Sequence, residues 1–381
     1  MRRAGAQSVI LFLIVSSAAI AGDIQTAMKR VEALRHQTFR RTVAQKTISR
    51  ADLVAFLQER LKSDLPLPPE RYVDVLRAFQ VIPMSGDPLG QLLDLYEAQV
   101  LAFYDPRTAT YYSLSTPPEG LELNGAFDDA VQVHELTHAL QDQVFNIGPR
   151  LDKLREQWDG QLAYQSLLEG EATLVMLADL AGSMGVSLDA MVNEPTVVQM
   201  LATMSEMKTG MPEGTPPYFS ESLTFPYAEG LKFVIAAYKR GGWAELDRIH
   251  RNPPTTTAEI LHPELYPLKT VAIASPVREH PLMDSALGEF HWRFLLGKEA
   301  SAGWAGDRVT VVSGANGTLT VLGETRWASP ARAAAFAGKL KSFLEGKHIT
   351  PRMVTSGTSV RFAYGPDARS IESFLPAAKS K

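Results

Sequence analysis

The stretch His134-Glu135-Leu136-Thr137-His138 lies in a run, residues 128–145, whose apolar positions recur at helical spacing. Residues four positions apart stand one above the other on a helix, so the two imidazoles can reach a single metal ion. Glu135 then lies beside the ion. A carboxylate there can take a proton from a zinc-bound water as the water attacks a carbonyl, and can return it to the leaving amine. The competing interpretation is a structural helix that carries two histidines without a metal.

A zinc site of this kind needs a third protein ligand and one position that stays open for water. An extended motif with a third histidine would require a glycine and a histidine where the chain has Gln141 and Val144. The other common ligand is a glutamate on a second helix, and the segment LLEGEAT, residues 167–173, offers Glu169 and Glu171. The glutamate that does not bind the metal could contact a histidine ligand and so fix the orientation of its ring.

Both segments resemble those of the gluzincin clan of zinc peptidases. The run HELTHALQD, residues 134–142, is similar to the HELTHAxxD helix of thermolysin. The EGEA run that begins at Glu169 resembles the EGxA segment of aminopeptidase-N-like enzymes, in which the glutamate before the glycine binds zinc. The resemblance therefore implies Glu169 as the third ligand and Glu171 as a residue behind the ligands. The spacer between the two segments is longer than in either family, which favours the clan over any one family.

Three further residues are candidates for supporting roles. Peptide hydrolysis generates an oxyanion, which a tyrosine hydroxyl or a histidine near the metal can stabilise. The YAEG segment from Tyr227 resembles the YxKG segment of the aminopeptidases, whose tyrosine has this role, although Glu229 replaces the lysine. His262, which follows a threonine-capped turn, is the alternative donor. Asp142 lies four residues past His138 and could accept its imidazole N–H, or could be a solvated surface residue.

Composition limits the classes of protein to which the chain can belong. A length of 381 residues with 45% hydrophobic and 21% charged residues indicates an ordinary globular protein. The net charge of -4 and the lack of a basic block argue against nucleic acid as a partner. There are no cysteines, which excludes disulfides, thiolate metal sites and a cysteine nucleophile. His280, His291 and His348 stand alone in the sequence, and we interpret them as structural.

The first residues have the pattern of a secretory signal. Arg2 and Arg3 precede a short apolar run and then small residues that end at Ala21, the expected cleavage site. We therefore expect an exported protein, periplasmic or secreted, with no stable membrane span after cleavage. The absence of disulfides fits a bacterial periplasm.

The pattern along the chain predicts four regions. These are the signal peptide (1–21), an N-terminal helical region (22–97), a metallopeptidase core (98–268) and a C-terminal α/β unit (269–381). The pattern of residues 101–114 predicts a β-hairpin just before the helix that carries the HELTH stretch. An edge strand of this hairpin could bind a substrate backbone. We expect a mainly α (α+β) fold, with a helical zincin-like catalytic domain, this hairpin and the small C-terminal unit.

Together these features predict an exported zinc-dependent peptidase that acts on a peptide or protein substrate. One Zn²⁺ would be held by His134, His138 and Glu169. The segment 225–263 and the HELTHALQDQ run also resemble a bacterial group of exported proteins that are classed with the metallopeptidases, and this resemblance brings no known substrate. Two alternatives remain: a degenerate, non-catalytic metal-binding or interaction protein on a peptidase scaffold, and a helical protein without metal.

Overall fold

The computed structural model of the chain describes residues 23–116, 125–194, 211–277, 281–314 and 317–376. In these residues there are fourteen α-helices and two small sheets, which confirms the predicted mainly α (α+β) class. The predicted signal peptide and His280 lie outside the described residues. None of the described helices combines the length and the apolarity needed to cross a bilayer.

The helices account for most of the described chain. In chain order they are Ile24–Arg35 (α1), Arg50–Asp64 (α2), Pro69–Ala78 (α3), Pro88–Gln99 (α4), Gly125–Phe145 (α5), Ile147–Leu154 (α6), Trp158–Ser183 (α7), Leu188–Asn193 (α8), Pro217–Arg251 (α9), Thr257–Leu261 (α10), Gly288–Leu296 (α11), Lys298–Ser301 (α12), Pro330–Gly346 (α13) and Ala368–Phe374 (α14). The backbone of α9 leaves helical geometry at Gly241 and Gly242, where the sequence predicts a helix end. A 3₁₀ turn spans Pro263–Leu265.

Two sheets accompany these helices. The strands are Ala44–Ile48 (β1), Ala102–Asp105 (β2), Thr110–Leu114 (β3), Met283–Ser285 (β4), Trp304–Ser313 (β5), Leu319–Trp327 (β6), Arg352–Ser356 (β7) and Ser359–Tyr364 (β8). The first sheet has the order β1-β3-β2, and the second has the order β4-β5-β6-β8-β7 with antiparallel pairs throughout.

The first sheet lies beside α5, the helix that carries the HELTH stretch. Its β2 and β3 form the predicted hairpin, with Tyr104 opposite Tyr111. The parallel partner β1 was not predicted, because its side chains are mostly exposed and polar and have no alternating pattern. Strand β2 lies at the edge of this sheet and packs against α5. At this edge the backbone N–H of Tyr104 faces the helix that carries the HELTH stretch.

One hydrophobic cluster joins the N-terminal helices, the central helices and the C-terminal sheet. It includes Leu76 of α3, Leu167 of α7, Phe233 of α9 and Phe362 of β8, all of them buried. Polar contacts add to this packing, since the backbone N–H of Trp158 donates to Ser285 Oγ over 3.0 Å. The C-terminal sheet is thus packed directly against the helices that carry the candidate site.

Candidate metal centre

Two helices bring the three predicted ligands together. His134 and His138 project from α5, and Glu169 projects from α7. The two Nε2 atoms are 3.0 Å apart, and they lie 3.3 and 3.6 Å from Glu169 Oε2. Ligand atoms that bind a tetrahedral zinc ion at about 2.0–2.1 Å are about 3.3 Å from one another. The three atoms are therefore already spaced for one ion, and no other such group is found in the part of the chain that the structure describes.

The environment of these ligands favours metal binding. His134 and His138 are fully buried and Glu169 is 2% exposed. Burial lowers the pKa of His134 to about 3 and the pKa of His138 well below its usual value. Both imidazoles are therefore neutral at physiological pH, the state in which a ring nitrogen can bind a metal. Burial, together with repulsion from Glu135, raises the pKa of Glu169. Two imidazoles and one carboxylate form a donor set that suits zinc.

Glu135 is held beside the ligands by the edge strand. The backbone N–H of Tyr104 in β2 donates to Glu135 Oε2 over 2.9 Å. The side chain is 1% exposed, and this burial raises its pKa well above the usual value, with the Tyr104 N–H acting in the opposite direction. The carboxylate is thus fixed close to the ligands without being one of them, as the motif predicts.

The orientation of His138 is set by a residue that sequence analysis did not select. His138 Nδ1 lies 2.8 Å from Gln141 Oε1. The amide nitrogen of Gln141 donates to Glu171 Oε2 over 2.7 Å and to the carbonyl of Leu168 over 3.1 Å. Because the nitrogen has two acceptors, the amide oxygen must face the imidazole, so Nδ1 carries the proton. This tautomer leaves the Nε2 lone pair directed towards the other two ligands.

Glu171 is the centre of a buried charge network behind the ligands. Its Oε1 accepts from Arg35 and its Oε2 accepts from Gln141 and contacts His250. Arg35 also donates to Asp247 over 2.7 Å. Burial by itself would raise the pKa of Glu171, but attraction from Arg35 and His250 outweighs it and holds the pKa below its usual value. Both oxygens are occupied by these partners, which explains why Glu169 and not Glu171 faces the imidazoles.

Asp142 fits neither of the two alternatives given for it, because it does not bond His138 and is not a solvated surface residue. Its Oδ2 accepts from the hydroxyl of Tyr104 over 2.9 Å, and Gln141 takes the place beside His138 that was predicted for Asp142. Arg41 lies 3.9 Å from the same carboxylate, whose side chain is only 9% exposed. Asp142 therefore ties β2 to α5, and acts on the position of Glu135 through Tyr104.

Of the two candidate oxyanion donors, the structure brings only Tyr227 to the ligands. Its ring is stacked 6.2 Å from the ring of His134, and its side chain hydrogen-bonds Glu169. His262 instead lies 3.0 Å from a carboxylate oxygen of Glu289, with a third of its side chain exposed. This ion pair raises the pKa of His262. A cavity of about 220 Å³ reaches Glu169 and Tyr227, and His262 does not line it.

Two glycines allow Tyr227 to come this close. A Cβ on Gly170 of α7 would lie 2.3 Å from the carbonyl of Gly230, and a Cβ on Gly230 of α9 would lie 2.1 Å from the carbonyl of Ser166. The two helix backbones are thus in direct contact at a point next to the third ligand. Each glycine belongs to one of the segments that the sequence analysis singled out, EGEA and YAEG, and the close contact gives a physical reason for both.

Comparison with known proteins bears on the C-terminal part of the chain only. Residues 277–373 match a family described as a domain of unknown function (DUF8575). The matched segment contains β4 to β8 with the helices between them, and it does not contain the candidate ligands. No curated protein and no solved structure matches the chain.

Proposed function

We propose that the chain is an exported zinc-dependent peptidase. The observation that carries the proposal is the convergence of His134, His138 and Glu169 within ion-binding distance, with Glu135 held beside them. Export rests on the sequence of residues 1–21 alone. The spacing of the ligand atoms and the neutral, buried imidazoles support zinc as the ion.

The residues around the ligands suit the hydrolysis of a peptide bond. A bound zinc ion would polarise the carbonyl and lower the pKa of water from about 15.7 towards ~7. Glu135, fixed by Tyr104, would accept the proton of the attacking water and pass it to the leaving amine. The hydroxyl of Tyr227 would donate to the oxyanion that forms on the carbonyl.

The proposal is tested on protein purified without chelator. We expect elemental analysis to find zinc in an equimolar amount, and mass spectrometry to find cleavage of a peptide library that a chelator abolishes and added zinc restores. Bound zinc without any cleavage would instead support a non-catalytic metal-binding protein. Protein that binds no metal, even when zinc is supplied, would be the helical protein without a metal site.

Replacing Tyr227 by Phe is expected to lower kcat by about 100- to 1,000-fold, the usual cost of losing one oxyanion donor. The ring and its packing against His134 remain, so KM should change little. Because the hydroxyl also bonds Glu169, the kinetics are measured with zinc in excess. The measurement is steady-state kinetics on a cleaved library peptide.

Tyr238→Phe is the matched control, because it removes a hydroxyl from the same helix that bonds Asp189 at the surface. Full activity of the Tyr227→Phe protein would exclude Tyr227 as the oxyanion donor. If His262→Asn then lowered kcat, the rival donor would take its place.

Replacing Gln141 by Leu is expected to weaken zinc binding by about 10- to 100-fold, as for other residues that orient a histidine ligand. The substitution leaves His138 Nδ1 without its acceptor and Glu171 without one donor. Affinity is measured by competition with a chelating indicator.

Gln143→Leu provides the control for this experiment. Gln143 is a largely buried amide of the same helix, but it bonds the backbone of Arg40 and Arg41. If both variants lost zinc affinity to the same extent, the effect would come from the helix in general and not from the orientation of His138.

A further inference from the structure

We infer that the cavity beside Glu169 binds a large uncharged side chain of the substrate, and that the C-terminal unit completes its wall. This inference rests on the proposed peptidase function. We call the site the aromatic cavity: Tyr72, Trp158, Tyr218 and His291 form its aromatic wall, and Glu169 and Tyr227 form its end at the metal ligands.

The aromatic cavity has the size and the wall for an aromatic or large aliphatic group. Its volume of about 220 Å³ exceeds the roughly 150 Å³ of an apolar cavity that binds benzene. The rings of the wall follow one another in space, from Tyr72 to Trp158 at 5.4 Å, from Trp158 to His291 at 6.0 Å, and from His291 to Tyr218 at 5.2 Å. Aromatic side chains favour ring neighbours at such distances. A substrate ring would therefore find partners on this side of the cavity.

The charges around the aromatic cavity select against an acidic side chain. Neither lysine nor arginine is among the described residues that line it, while the carboxylates of Asp64 and Glu169 are. Asp64 already forms an ion pair with Arg107. A basic side chain of the substrate would have to compete with Arg107 for this carboxylate. Burial lowers the pKa of His291 to about 4, which keeps the ring neutral while its Nε2 lies 2.6 Å from the Tyr218 hydroxyl.

The wall depends on the C-terminal unit. His291 belongs to α11, inside the segment that matches the domain of unknown function, whereas Tyr218 belongs to α9. The start of α11 is fixed by Asp307 of β5, which accepts from the backbone N–H groups of Leu287 and Gly288. The C-terminal sheet thus places His291 in the aromatic cavity. This gives the unit a part in substrate selection.

The test uses the zinc-loaded full chain and a peptide that it cleaves. Phe, Leu, Ala, Glu or Lys is placed in turn at each of the two positions that flank the scissile bond. At one of these positions we expect kcat/KM to be about 10- to 100-fold higher for Phe or Leu than for Ala, because a large apolar group is buried. Glu and Lys should be cleaved more slowly than Ala.

Two variants connect this preference to the aromatic cavity. Ser222→Trp places an indole at its lining, and should lower the ratio of kcat/KM between the Phe peptide and the Ala peptide at least about 10-fold. Ser183→Trp, at an exposed position at the end of α7, is the control and should leave this ratio unchanged. For His291→Ala, which widens the wall, a Trp peptide is added to the set, and the preference should shift from Phe towards Trp.

The outcomes separate this inference from the function on which it rests. Zinc-dependent cleavage with equal rates for all five residues, a preference for Glu or Lys, or an unchanged preference in the Ser222→Trp protein would overturn the inference and leave the peptidase intact. No zinc-dependent cleavage by the wild-type chain would overturn the peptidase and the inference together.

Discussion

Glu135→Gln protein is expected to hydrolyse peptides about 100- to 10,000-fold more slowly than the wild type, the range lost when a general base is removed. The amide has the shape of the carboxylate, and its oxygen can still accept the backbone N–H of Tyr104. It cannot take up a proton at neutral pH. The three ligands are untouched, so zinc content should remain equimolar, and the loss should appear in kcat rather than in metal affinity.

Timed digests of the peptide library measure the rate of hydrolysis, and elemental analysis of the same preparations measures the zinc content. Glu156→Gln is the matched control, since Glu156 lies exposed in the turn after α6 and the same change of charge there should leave kcat as it is. Activity close to that of the wild type in the Glu135→Gln protein would exclude Glu135 as the base. Loss of zinc together with activity would instead make Glu135 a residue that maintains the site.

The three candidate ligands could be identified from sequence, because local rules bring them together. Helical spacing puts His134 and His138 on one face, and the need for a third donor directs attention to the EGEA segment. Its two glutamates could not be separated by spacing alone. Their difference arises from the partners of Glu171, which are distant in sequence: Arg35 is 136 residues away and His250 is 79 residues away.

The residues that sequence analysis missed act through such distant contacts. His291 was interpreted as structural because it stands alone in the sequence, and its burial and its contact with Tyr218, 73 residues away, agree with that interpretation. Its place on the lining of the aromatic cavity is visible only in the structure. Gln141 could have been found, because it lies three residues past His138 on the ligand face and an amide can accept an imidazole N–H. The sequence analysis considered instead the carboxylate of Asp142, one position further, with a solvated surface residue as the alternative. In the structure this carboxylate is largely buried and bonds Tyr104.

Helix boundaries also depend on contacts between residues that are distant in the sequence. The sequence pattern predicts a helix from Leu231 to Arg240, which would begin after the YAEG segment. In the structure α9 begins at Pro217 and continues through Pro226, so Tyr227 lies within a helix. The contact of Gly230 with Ser166 and Gly170 holds this part of α9 against α7. Tertiary packing of this kind overrides the local preference of a proline.

Arg35→Met is expected to lower the free energy of unfolding by about 3–5 kcal/mol, the usual cost of removing one partner of a buried ion pair. Arg35 is 2% exposed, it donates to Glu171 and Asp247, and its guanidinium lies 4.6 Å from the ring of Trp243. Methionine can fill much of the volume of the arginine stem. Most of the loss should therefore arise because the buried carboxylate of Glu171 is left without its cation. Urea unfolding of the zinc-loaded protein measures the change.

Two comparisons assign that loss to the buried charge. Arg248→Met removes an arginine whose partner Glu245 is 2.7 Å away at the surface, and there the expected loss is at most about 1 kcal/mol. If Arg35→Met lowered the free energy of unfolding no more than Arg248→Met does, the ion pair of Arg35 with Glu171 would not contribute to stability beyond a surface pair. Adding Glu171→Gln to the Arg35→Met protein should restore part of the stability, because a neutral amide leaves no uncompensated charge in the interior. A double variant that is no more stable than Arg35→Met alone would instead attribute the loss to packing around Trp243.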